Sequence, residues 1–252
     1  MAVLLQERKY NGRIRAYIQK MGVFIIPFFE ALLDEKLTEL QIQNLLLAGI
    51  LTPLFDDALE TGNADNYLKI VYQQPVELTD SGMILFSKAF MAMISGISNH
   101  NTFYQQLQQI ISHEKNRSAH QGQLGKGSAA LLLFATCANL EVNPLHNDFI
   151  YRTGGYFQLI DDIYDCSKDC ARQIDTLPIR WSSQHGKLQK FLTLQLLRLI
   201  HHPCLQGLPQ KNKKTIEGML FVLYRLALMR MKIPFLANFF NRQTMEIHSS
   251  VH

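Results

Sequence analysis

Apolar residues recur at three- and four-residue spacing through almost every segment of this chain, and strand-like alternation is nearly absent. That period places the apolar positions of each segment on one face of a helix. It restricts the chain to an all-α fold, here an antiparallel helical array with one core. With 252 residues, 47% of them hydrophobic and 18% charged, the chain can bury a core rather than remain disordered. No internal repeat, low-complexity segment or interdomain linker interrupts it, so residues 1–252 read as one domain.

Local signals place the elements. Helices are predicted over roughly 3–20 and 22–35. Thr38 with Gln41 forms a capping box for the next helix, LQIQNLLLAGILTPLFDDALE, which stops at Gly62 and carries Pro53 one turn before Asp56. Further helices are expected over 64–73, 80–97, 100–115 and 121–141. Asn143 and Pro144 open a helix containing FIYRTGGYFQLIDDIYDCSKD, and the polar stretch Ala171 to Pro178 ends it. Helices near 187–202 and 212–239 complete the order.

Charge and cysteine usage narrow the function. A net charge of +4 with scattered basic residues lacks the stripe interleaved with aromatics expected of a nucleic-acid binder. Cys137, Cys166, Cys170 and Cys204 have no paired metal-ligand spacing. The start, MAVLLQERKY, meets charges too early for a signal peptide, and the apolar stretch Gly127 to Leu140 is too short to span a bilayer. The expectation is a cytoplasmic enzyme without membrane association, with room for a homodimer. The segment Met219 to Phe240, with Arg225, Arg230 and Lys232, reads as a core helix whose basic residues reach solvent. An amphipathic helix lying on a membrane is the other reading of that segment.

Two acidic clusters carry the chemistry. FDDALE puts Asp56 and Glu60 one turn apart on a helix, with Asp57 flanking. QLIDDIYD repeats the arrangement with Asp161 and Asp165 stacked, Asp162 flanking and Gln158 a turn earlier. Like charges at that spacing repel and destabilise a helix unless a cation lies between them. One such pair alone reads as a solvated face. Two, each in a strongly apolar helix, point to hard divalent cations with oxygen ligands, magnesium rather than zinc. Magnesium held by few carboxylates shares its shell with substrate phosphates. GQLGKGSA lacks the Ser or Thr and the preceding strand of a P-loop. Lys126 within it also reads as a solvated lysine near a helix start. Gly154–Gly155 marks either close helix packing or room for substrate.

GGYFQLIDDIYDCSKD resembles the second aspartate-rich motif of trans-polyprenyl diphosphate synthases, and FDDALE is similar to the first, with Glu60 for the third aspartate. GKGSAALLL resembles their lysine-containing diphosphate segment, and DTLP at 175–178 the tail of their late loop. Order and spacing agree from about residue 40 to 180. The resemblance, to the class I isoprenoid synthase superfamily, implies an α-helical fold with a central cavity and three magnesium ions. Asp56 and Glu60 would hold two ions, and Asp161 the third with help from Asp165. Lys126 would contact the diphosphate of an allylic prenyl substrate, and Gln158 would face the reacting carbons. The Arg-Arg-Gly segment that binds a homoallylic co-substrate is replaced by ETGNADNYLKI, and NGRIRAY offers only Arg13 and Arg15. The Gly-Lys of the late loop has become Gln173–Ile174, and the Asn-Ser-Glu metal triad of microbial cyclases is missing. The implied activity is therefore a terpene synthase built on the prenyltransferase pattern. A short-chain prenyl diphosphate synthase and a non-catalytic prenyl-diphosphate-binding or scaffold protein are the alternatives.

Overall fold

The helical period is realised throughout: among the described residues every regular element is a helix and none is a strand. The computed structural model describes residues 11–116, 120–182 and 184–231, less the side chains of 11, 60, 120–123 and 185. The expected helical residues 3–10 and 232–239 lie outside that description. The chain divides into two compact units, Met1–Phe103 with Phe134–Glu141, and Tyr104–Leu133 with Val142–His252.

In the first unit, the sequence predicts a break near residue 21, and the backbone instead stays helical. α1 (Asn11–Lys20) passes through a π-helical turn, Met21–Ile25, into α2 (Ile26–Leu33). Ile26 N–H donates to the Met21 carbonyl, five residues back rather than four. Pro27 follows directly and has no N–H to continue the ordinary ladder, so the wider turn absorbs the misfit. The run Gly12–Leu33 is long and apolar enough to cross a membrane, with 33% of its window buried. Ile14, Met21, Ile25, Phe28, Phe29 and Leu32 form its buried face.

α3 (Glu39–Glu60) begins at the predicted capping box: Gln41 N–H donates to Thr38 Oγ1 at 3.3 Å, and Thr38 N–H to Gln41 Oε1 at 2.8 Å. It remains one helix across Pro53, and Thr52 Oγ1 beside it donates to the Ala48 carbonyl at 2.8 Å. The chain turns at Gly62, whose φ of 74° suits a residue without Cβ. α4 (Ala64–Val71) and α5 (Ser81–Ile94) pack with α3, and Phe86 joins Phe55, Tyr67 and Phe90 in a chain of ring contacts. α6 (His100–Lys115) and α7 (His120–Cys137) each contribute residues to both units. Beyond α7, Asn139 at φ 50° donates Nδ2 to the Gly96 carbonyl and accepts at Oδ1 from Ser98 N–H and Oγ. One left-handed residue thus ties the end of α7 to the end of α5.

The second unit is organised by α8 (Pro144–Ala171), opened by Asn143 as N-cap with Pro144 in the first turn, as the sequence predicts. α9 (Leu177–Arg180) and α11 (Pro203–Gln206) are single turns in stretches that the sequence leaves non-helical. α10 (His185–Ile200) and α12 (Gln210–Met231) pack on α8 and on each other. Tyr156 OH donates to the Leu220 carbonyl, and Thr193 Oγ1 lies 2.9 Å from Tyr224 OH. Phe149, Ile150, Leu159, Leu192 and Ile216 are buried between them. His202 Nδ1 accepts from Cys204 N–H, so Nε2 carries the proton and donates to Asp148 Oδ2 at 2.8 Å. The same carboxylate oxygen accepts from Arg152 Nε, and these two hydrogen bonds hold its pKa below the ordinary value.

Candidate functional site

The second unit's candidate site is built where α7 crosses α8. A Cβ placed on Gly154 would lie 2.3 Å from the Gly127 carbonyl oxygen, and one on Gly127 2.6 Å from that of Gly154. The two helices therefore meet backbone to backbone. Of the two readings of Gly154–Gly155, close packing accounts for both: Gly155 faces Ser128 Oγ and Leu124. Gln158, one turn past Gly154, has its Cβ 2.5 Å from where a Gly127 Cβ would stand, so only a glycine leaves it room.

From that position Gln158 Nε2 donates to Asp162 Oδ1 at 2.7 Å. Asp162 is buried at 7% exposure, whereas Asp161 and Asp165 are half-buried. The i to i+4 spacing explains the pairing, and a hydrogen bond to a charged partner contributes ~1.5–3 kcal/mol. The apparent flank of the motif is thus its anchored, inward carboxylate. Asp161 and Asp165 are the pair that retains surface. Lys168 Nζ approaches Asp165 Oδ2 at 3.4 Å, an exposed contact worth little in water.

Lys126 immediately precedes the crossing glycine, and its charge is met by a side chain of α6. Nζ lies 2.8 Å from Glu114 Oε2, with side-chain exposures of 16% and 17%. Next to it, a Cβ on Gly125 would lie 2.4 Å from His113 Cε1, so the imidazole occupies that glycine's space. Burial lowers the pKa of His113. Glu114 escaped the sequence reading. Its only signal was the near-symmetric placing of His113–Glu114 and Gly125–Lys126 about a short connection.

In the first unit, Asp56 and Asp57 are half-buried near the end of α3, and Arg13 of α1 forms an ion pair with Asp57. Glu60 ends the helix, and its side chain lies outside the described residues. Arg13, a faint echo of a motif in the sequence, does reach the first acidic cluster. Among the described residues, no three His, Cys, Asp or Glu side chains come together as a metal-binding group. The acidic side chains instead divide by partner: Asp57 with Arg13, Asp162 with Gln158, and Asp161 beside Asp165 one turn along α8.

The arrangement defines an all-helical protein with an anchored acidic stripe on α8, the longest helix among the described residues. No family model matches the chain, and no curated protein or solved structure matches it either.

Proposed function

We propose that the chain is a class I terpene synthase of the cytoplasm, with an isoprenoid synthase-like fold, that ionises an allylic prenyl diphosphate and releases diphosphate. The observation that carries this reading is the α8 stripe, with Asp162 buried and held by Gln158 beside the half-buried pair Asp161 and Asp165. A solvated acidic face has no need of a buried carboxylate with its own orienting amide.

The donor chemistry of the stripe fits magnesium. It offers oxygen alone, and magnesium takes one or two protein carboxylates and completes its shell with water and phosphate. Asp161 and Asp165 would hold it, with Asp56 and Glu60 serving the first motif. Asp57 and Asp162 are already engaged by Arg13 and Gln158. The three ions implied by the resemblance would neutralise the diphosphate and make it a leaving group.

The remaining work belongs to side chains. Gln158 spends its amide N–H on Asp162, which leaves its carbonyl oxygen as the dipole end able to face developing positive charge. Lys126 would contact the diphosphate by exchanging Glu114 for it. Arg13 is committed to Asp57, so the basic residues that a homoallylic diphosphate requires remain few.

A second reading has a specific observation of its own. Asp57, Asp162 and Lys126 each have a protein partner in place, which favours a non-catalytic prenyl-diphosphate-binding protein. Incubation with geranyl, farnesyl and geranylgeranyl diphosphates separates the readings. The proposal expects magnesium-dependent diphosphate release and hydrocarbon or alcohol products without isopentenyl diphosphate. Asp161→Ala should reduce the rate by about 100-fold or more. No release above background with any of the three sinks the enzyme reading. Consumption of isopentenyl diphosphate in step with the allylic substrate makes it a prenyltransferase.

A further inference from the structure

The outer faces of α10 and α12 carry an unusual combination. Leu194 (51% exposed), Leu197 (41%), Phe221 (45%), Val222 (52%) and Met229 (59%) stand in solvent. Exposed basic residues lie among them: Lys187, Lys190 and Arg198 on α10, Lys214 and Arg225 on α12. Over residues 185–231 the chain has eight Lys and Arg against one acid, Glu217. With +4 for the whole chain, the remainder is net negative. The two faces share a seam. The Thr193–Tyr224 hydrogen bond pins the helices together, and the short connection through α11 makes them antiparallel. Leu197, one turn after Thr193, and Phe221, one turn before Tyr224, then fall at one level.

From this we infer that the α10–α12 face is a docking surface for an anionic lipid bilayer. Large apolar side chains ringed by lysine and arginine match an interface of acyl chains beneath negative headgroups. The charge also argues against a second copy of this chain. An isologous contact would bring the same basic face against itself and add repulsion to apolar burial. Nucleic acid would use the charge but leave five apolar side chains without a partner. Lys232 and the apolar run Ile233-Pro-Phe-Leu-Ala-Asn-Phe-Phe240 continue the sequence from the end of α12 in the same composition. The inference stands apart from the proposed chemistry, because it uses none of the acidic residues.

The test is co-sedimentation of the full chain with vesicles of phosphatidylcholine alone or containing phosphatidylglycerol. Binding is expected to the anionic vesicles and to fall steeply with salt. Lys190→Glu and Lys214→Glu should each weaken it by roughly fivefold or more. Phe221→Ser with Val222→Ser should weaken it by about tenfold or more at unchanged thermal stability, since both side chains are exposed. Absence of binding to anionic vesicles at low salt overturns the inference, as does equal binding by the Phe221→Ser/Val222→Ser variant. A dimer in solution that this variant dissolves, or nucleic-acid binding without vesicle binding, overturns it equally.

Discussion

Replacing Gly154 by alanine sets two effects of known size against each other. In an exposed helix interior the change stabilises by roughly 0.5–1 kcal/mol, because glycine loses more backbone freedom on folding. At Gly154 the new methyl would lie 2.3 Å from the Gly127 oxygen, 2.8 Å from Ser128 Cα and 2.9 Å from the Gly127 carbonyl carbon. All three atoms are main chain, so no rotamer change relieves the overlap. The helices must separate by about 1 Å to restore ordinary contact, and overpacking of this kind costs ~1–3 kcal/mol. Against unmoving backbone the upper end applies, for a net loss of about 2 kcal/mol. Gly218 is a helical glycine with nothing within 4 Å of its Cβ position, and Gly218→Ala supplies the control. Trp181, the single tryptophan, lies in the same unit as both. Urea unfolding followed by its fluorescence should show Gly154→Ala lowered and Gly218→Ala raised. At ~2–4 °C per kcal/mol for chains of this size, the melting temperature should fall by about 4–8 °C. A Gly154→Ala protein as stable as the parent would refute the backbone contact.

Other expectations follow from single interactions. Thr38→Ala removes the capping box of α3 and should cost ~1 kcal/mol in urea unfolding followed by far-ultraviolet circular dichroism. Asn139→Ala removes two hydrogen bonds from Ser98 and one to Gly96 at a left-handed residue. It should cost ~2–3 kcal/mol, while Asn139→Gly recovers only the backbone share. Lys126→Met removes the ammonium group beside the part-buried Glu114 carboxylate and should cost ~1–3 kcal/mol, part of it restored by adding Glu114→Gln. Burial pushes the Cys204 thiol up to about 11 and that of Cys166 up to about 12, from 9.0. Their raised values favour the neutral folded form, so this stability is complete below pH 9.0 and lost as pH rises towards 11 and 12. Melting temperatures measured from neutral to alkaline pH should fall across that window, and less so in Cys166→Ala.

What the sequence revealed was mostly local. The Thr38–Gln41 box, the Asn143–Pro144 start and the Gly62 stop are all encoded within a few residues, and each stands where the pattern puts it. The break that the sequence predicts near residue 21 is absent, because a single π turn, Met21–Ile25, carries the helical backbone from α1 into α2. α9 and α11 are four residues each, too short to leave a period. At the site, the spacing shows Asp161 and Asp165 stacked with Asp162 flanking, but neither which aspartate faces inward nor which one takes the Gln158 amide. That depends on the Gly127–Gly154 crossing, a contact between segments 27 residues apart in the chain. Arg13 and Asp57 are separated by 44 residues and share no local signal.

The His202 ring has a consequence of its own. α11 is one turn long and cannot nucleate itself, so it depends on an outside group to satisfy its first N–H. Imidazole does this with one edge while its opposite edge grips Asp148, 54 residues earlier. Neither asparagine nor glutamine can copy it, since their acceptor and donor sit side by side on one carbon. The ring acts as a directional rivet, with its acceptor fixed toward the turn and its donor toward the carboxylate. The fastening needs an acceptor at Nδ1 and a donor at Nε2, a pairing that one tautomer of the ring supplies at two ends of a single rigid plane.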